Sequence, residues 1–184
     1  MPVSAEAYAD VFFGATPTPW GDVPGLGADA ATVNPLLGRD SLDPLIDRAA
    51  GVGAGIFLLV RTSNPGAADI LDADTSDGPL HERIARLAEE LAPRLQGEGG
   101  LSGVGAVVGA TEPKFIARLR ELMPRAVLLL PGVGAQGGDA GLLGAAFAPG
   151  RASALVTASR SVCGADDPAE AAAELRDTVW AASA

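Results

Sequence analysis

An α/β fold built on a parallel central sheet is what this sequence predicts, and three observations predict it. Five short runs, 30–33, 55–61, 105–108, 126–130 and 154–157, are apolar almost throughout, without the polar alternation of a sheet that has one wet face. Helical patterns at 42–50, 79–95, 113–122 and 167–182 separate them, so strand and helix alternate as right-handed crossovers require. Every strand exit is rich in Gly, Pro, Ser, Thr or Asn, whereas the returns from helix to strand are plainer. Such an asymmetry is expected where the loops at the carboxyl ends of parallel strands build a ligand site.

In chain order, the run 30–33 leaves into "VNPLLG" and the helix 42–50, and "GIFLLVR" at 55–61 leaves into "TSNPG". The helix 79–95 is drawn from Leu80, Ile84, Leu87 and Leu91 at three-to-four spacing, the period that places them on one face. The run 105–108 leaves into "GATEP", and Thr111-Glu112-Pro113 supplies a capping side chain and a first-turn proline for the helix 113–122. The run 126–130 leaves into "PGVGAQGGD" and the last run into "SRSVCG"; Asp166-Asp167-Pro168 then opens the helix 167–182.

Composition narrows the function. With 184 residues, 48% of them hydrophobic, the chain is expected to fold as one domain. No apolar run approaches the ~20 residues of a membrane helix, and no basic-then-apolar signal pattern opens the chain, so no membrane partner and a cytoplasmic location are expected. A formal charge of −10, with Lys114 the only lysine, argues against sequence-independent nucleic-acid binding, which needs clustered cations. An anionic ligand must then be held by a few placed groups. Cys163, the only cysteine, is expected as a buried small apolar side chain. His81, beside Glu82 and Arg83, reads as the start of an exposed helix with no catalytic part, and Asp69, Asp72, Asp74 and Asp77 read as a solvated loop.

The stretch Gly132-Val133-Gly134-Ala135-Gln136-Gly137 spells GxGxxG and admits two readings. A dinucleotide turn wants a carboxylate about 20 residues on for a ribose. Here the next strand ends in Ser159-Arg160, which suits at most a 2′-phosphate, and only one strand and helix come after the loop. A (β/α)₈ barrel instead places a phosphate site on the loops after its last two strands. The glycine loop and the Arg160 exit are the last two strand ends here, and freed amides with an arginine fork suit a phosphate dianion.

Taken together and in order, "AEAYAD", "ADAATVNPLLGRDSLDP", "GIFLLVRTSNPGAADI", "GAVVGATEP", "LLLPGVGAQGGD" and "SR" resemble the type 2 orotidine 5′-phosphate decarboxylases over nearly the whole chain. The resemblance implies a (β/α)₈ TIM barrel, a homodimer, and removal of CO₂ from orotidine 5′-monophosphate to give UMP in pyrimidine biosynthesis, with no cofactor and no metal. It also implies roles. Ser63 looks like the strand-exit residue that hydrogen-bonds the pyrimidine, and Asn34 is expected to line the same cavity. Gln136 with the amides of Gly137 and Gly138 looks like the loop closing over nucleotide and phosphate, and Arg160 like the phosphate fork. Ser4 matches a hydroxyl residue that reaches the ribose across the dimer interface.

One part of the family pattern is absent. Its alternating Asp-Lys-Asp array rests on an Asp-x-Lys-x-x-Asp-Ile motif at the end of the third strand, and the sequence contains no such motif. A whole barrel takes about 250 residues and eight strands. Residues 1–184 are therefore expected to be the C-terminal part of one TIM-barrel domain, strands four to eight, with the reading frame continuing upstream of Met1. The chain as written is expected to be catalytically inactive; the catalytic residues themselves stay unknown. Two other readings stay open: a non-catalytic nucleotide- or phosphate-binding barrel fragment, and an NADP-binding oxidoreductase fragment.

Overall fold

The computed structural model describes residues 2–184. In chain order it contains α1 (Pro2–Phe13), β1 (Ala15–Thr18), β2 (Gly21–Pro24), β3 (Ala30–Val33), α2 (Arg39–Val52), β4 (Gly55–Arg61), α3 (Ala67–Leu71), β5 (Asp74–Thr75) and β6 (Gly78–Pro79). After these come α4 (Leu80–Leu91), β7 (Ser102–Val108), α5 (Lys114–Leu122), β8 (Ala126–Leu130), β9 (Ala154–Val156), α6 (Arg160–Cys163) and α7 (Pro168–Ala182). Strands β3, β4, β7, β8 and β9 form one sheet in that order, every neighbouring pair parallel. These are the five runs read from the sequence. The pairs β1–β2 and β5–β6 are small antiparallel hairpins outside it.

Alternation along the strands sorts the two faces of the sheet. Ile56, Leu58 and Val60 of β4, Val104, Ala106 and Val108 of β7, and Ala126, Leu128 and Leu130 of β8 are buried beneath the helices. The opposite face is only partly covered: Phe57, Leu59, Val127 and Leu129 are half-buried, and Thr32 and Leu155 are exposed. The sequence leads one to expect burial on both faces. Among the described residues the sheet does not close, however, so β3 and β9 are edges and the concave face lacks a covering layer.

Several local expectations are corrected. The predicted helix 79–95 stops at Leu91 and finishes as a 3₁₀ turn, Ala92–Leu95, because Pro93 has no amide to continue the ladder. Helix α1 is invisible to a search for large apolar residues because its buried face is Ala5, Ala9 and Phe13. Thr111 does not cap α5, whose N-terminal flanking residue is Pro113 with no side-chain cap, whereas Asp167 caps α7 by accepting from the amides of Ala169 and Glu170. Cys163 is exposed, since it ends the short α6 outside the core. His81 is buried, and Asp72 leaves the solvated loop to meet it.

Candidate functional site

The polar exits converge at the carboxyl ends of the strands. Backbone bonds carry the parallel ladder beyond the strands themselves: the Gly109 amide donates to Arg61 O at 2.7 Å, the Ala110 amide to Pro131 O at 2.8 Å, and the Thr157 amide to Leu130 O at 3.2 Å. The first residues of each loop are thus held as firmly as strand residues. Ser63, two residues past β4, lies where this tie is tightest. A Cβ at Gly109 would come within 2.7 Å of Ser63 Cα, so only glycine permits the approach.

Ser63 Oγ donates to Gln136 Oε1 at 3.0 Å, joining exits 73 residues apart in the chain, and Thr111 Oγ1 donates to the Ser63 carbonyl at 3.1 Å. Both side chains line a cleft of about 630 Å³ together with Asn64, Thr111, Lys114 and Phe115. Two of the expected site residues, Ser63 and Gln136, therefore meet directly.

The glycine loop is a closed turn. Gly132, Gly134 and Gly137 have φ of 106°, 73° and 90°. The Gly137 amide donates to Gly134 O at 2.8 Å and the Gly138 amide to Gly132 O at 3.0 Å. In this conformation both amides expected to face a phosphate are engaged within the loop. At Gly134 a Cβ would meet Ser161 Oγ at 2.7 Å, so the loop rests on the exit that carries Arg160. Arg160 is exposed at the first position of α6. The segment after the glycines is the 3₁₀ turn Ala140–Leu142, capped by Asp139, and not an α-helix. A dinucleotide fingerprint needs the helix its glycines open onto, so the oxidoreductase reading loses its structural basis.

Asn34 and Ser4 are brought together elsewhere. They line a separate cavity of about 350 Å³ with Tyr8, Thr32, Leu37 and Ser41. Asn34 therefore does not share the Ser63 cleft, contrary to expectation. Its Oδ1 accepts from the Leu36 amide at 3.0 Å and caps the turn Pro35–Leu37, the ordinary use of an Asn before Pro. Lys114 is exposed, with Nζ 3.1 Å from Glu112.

Beneath Ser63 lies a charged cluster that sequence reasoning missed. Arg61 donates from Nε and Nη2 to both oxygens of Asp72, at 2.7 and 3.0 Å, and from Nη1 to the Thr62 carbonyl at 2.8 Å. His81 Nδ1 is 2.8 Å from Leu71 O and 3.2 Å from Asp72 Oδ1. The hydrogen bonds from Arg61 hold the Asp72 carboxyl below its ordinary range, outweighing the opposing effect of burial. The available signal was an arginine ending an otherwise apolar strand.

Parallel strands backed by helices, with loops converging at their carboxyl ends, place the chain in the (β/α)-barrel class. Comparison with known proteins gives the family: the model of the orotidine 5′-phosphate decarboxylase / HUMPS family matches residues 24–175, and the chain belongs to that family. It is 39% identical over 180 residues to the orotidine 5′-phosphate decarboxylase of Rhodopirellula baltica, an alignment covering 96% of this chain and 58% of that protein. With the Deinococcus radiodurans enzyme of the same name it shares 45% identity over 159 residues, 86% of this chain and 54% of that one. Among solved structures, OMP decarboxylase from Leishmania donovani superposes with a TM-score of 0.71 at 32% identity, covering 97% of this chain and 63% of that chain. The Methanocaldococcus jannaschii orotidine 5′-monophosphate decarboxylase, solved with the inhibitor BMP, is 20% identical with a TM-score of 0.74, and is evidence for the fold alone. The chain spans little more than half the length of the curated relatives it matches.

Proposed function

We propose that this chain is the nucleotide-binding part of an orotidine 5′-monophosphate decarboxylase and does not turn over by itself. The observation that carries the reading is the Ser63–Gln136 hydrogen bond, which couples the β4 exit to the glycine loop beside the Arg160 exit. In this reading Ser63 and Gln136 face the pyrimidine, the 132–138 loop closes over the nucleotide, and Arg160 pairs with the phosphate. The loop must rearrange for the amides of Gly137 and Gly138 to turn outward. Ser4 and Asn34 belong to the flank nearest a second subunit, where exposed Val3 and Tyr8 on α1 are apolar enough to be covered by a partner copy. The whole enzyme is then a cytoplasmic homodimer.

The chemistry explains the expected inactivity. Breaking the bond from C6 to the carboxylate releases CO₂ and leaves an electron pair on C6, which needs a nearby cation and a proton; one buried lysine ammonium can supply both. The sole lysine stands on the rim of the Ser63 cleft, exposed and ion-paired with Glu112, where water rather than an enclosed site surrounds its ammonium. Calorimetric titration of the purified chain with UMP, run beside an assay of CO₂ release from orotidine 5′-monophosphate, tests both halves. Binding without turnover is expected. Turnover would overturn the inactivity, and an absence of UMP binding would overturn the site.

A further inference from the structure

Strand β4 ends in a bulge. Between Leu59 and Arg61 its register against β7 shifts by one, so Arg61 leaves the alternation and turns toward the helices. Its guanidinium is nearly enclosed there, held by Asp72 at the end of α3, with His81 of α4 behind the carboxylate. Phe115 of α5 closes the cluster: the guanidinium carbon lies 4.9 Å from its ring centre, and the His81 ring meets it edge-on at 5.1 Å. Because Leu71 O can only accept, the contact with His81 Nδ1 places the proton on that nitrogen.

We propose that Arg61 and Asp72 are positioning residues that aim Ser63, and through it Gln136, at the nucleotide. The proposal rests on the reading of Ser63 and Gln136 as nucleotide-contacting residues. Arg61 Nη1 holds the Thr62 carbonyl and Thr111 Oγ1 holds the next one, that of Ser63. With two consecutive carbonyls fixed, and Gly109 and Gly132 pressed against Ser63, the serine side chain is directed across to Gln136. Asp72 keeps the fork oriented: its carboxylate accepts from both donors of one guanidinium edge, Nε and Nη2, and leaves Nη1 aimed at Thr62. Without that carboxylate the fork is free to rotate, and the exit loses one of its two anchors.

The test is Asp72→Asn, which keeps size and shape while removing the charge, read in two ways on the 184-residue chain. One readout is UMP affinity by titration; the other is the side-chain amide resonances of Gln136 in ¹H–¹⁵N spectra, with Ser63→Ala as the reference for a broken Ser63–Gln136 bond. The expected result is about tenfold weaker UMP binding, the loss of roughly one charge-assisted hydrogen bond, with the Gln136 resonances moving toward those of Ser63→Ala. Asp72→Glu, which restores the charge, should recover part of both. Unmoved Gln136 resonances, or a UMP affinity within about twofold of the parent, would overturn the proposal. If Asp72→Asn does not fold, Arg61→Lys, which keeps the charge but loses the fork, is judged by the same two readouts. A parent chain that fails to bind UMP sinks the nucleotide reading alone, and the Gln136 resonances then decide the positioning by themselves.

Discussion

Two carboxylates tie the stability of this chain to pH. Asp72 is held below its ordinary value of 3.8 by hydrogen bonds from Arg61, and Glu82 below 4.5 by hydrogen bonds from Arg118 on the neighbouring helix. A carboxyl more acidic in the folded chain than in the unfolded one stabilises the fold wherever the unfolded group is already ionised, and that stabilisation disappears as pH falls through the depressed folded value. Urea-unfolding midpoints should therefore be level from pH 7 down to about 5 and fall below about 4.5, with a shallower decline in Asp72→Asn. A midpoint that rises on acidification would contradict these assignments. Little of this was legible from sequence. The carboxylate that holds Arg61 lies 11 positions downstream, the histidine that meets the same carboxylate lies 20, and the bulge that turns the arginine toward them leaves no mark in composition. The exits that carry Ser63 and Gln136 were legible because glycines, a proline and hydroxyls crowd them, whereas the two residues themselves were singled out only by the resemblance to the decarboxylase family.

At the scale of elements, a single side chain fastens α5 to β8 and to the turns that lead into β9. Arg120 is buried, and its Nη1 donates to the carbonyls of Met123 and Ala126, its Nη2 to those of Ala146 and Ser153, at 2.7 to 2.9 Å. The end of α5, the start of β8 and the 3₁₀ turns before β9 all converge on that guanidinium. Burial pushes its pKa down to about 10, which still leaves it charged at neutral pH. Arg120→Met relieves the cost of burying a cation but takes a donor from four carbonyls; those of Met123 and Ala146 keep a second donor, the Ala126 amide and Ser153 Oγ, so the loss falls on the other two, each worth roughly 1 to 3 kcal/mol when unsatisfied, and a net loss of about 2 kcal/mol is expected. Urea unfolding should show it, and hydrogen exchange should quicken across 146–156; a midpoint at or above that of the parent would refute the account. The same region shows why elements differ in legibility. Strands β4 and β8 announce themselves as apolar runs, whereas the link between β8 and β9 is three short 3₁₀ turns ordered by a distant arginine. Helix α1 escaped because its buried face is two alanines with one large residue, Phe13, only at its end.

At the scale of the whole molecule, the sheet has a finished side and an unfinished one. The helix-facing residues of β4, β7 and β8 are fully enclosed, while Phe57, Leu59, Val127, Leu129 and Leu155 on the concave face keep contact with water. Both β3 and β9 offer unpaired backbone groups along one edge among the described residues. Edges and apolar faces of this kind recruit further strands, and little in the chain opposes that beyond its formal charge of −10. Charge repulsion acts only within about 8 Å at physiological ionic strength, so it slows association without satisfying the surface that drives it. The purified chain should therefore self-associate, with a mean mass above 18.4 kDa by light scattering that rises with added salt, and it should bind an apolar dye in its folded state. Asp or Lys at Leu155, in the middle of edge strand β9, should reduce that association by placing an unpaired charge at the growing edge. A monodisperse monomer with a cooperative melt and no dye binding would show instead that five strands of this barrel make a finished surface.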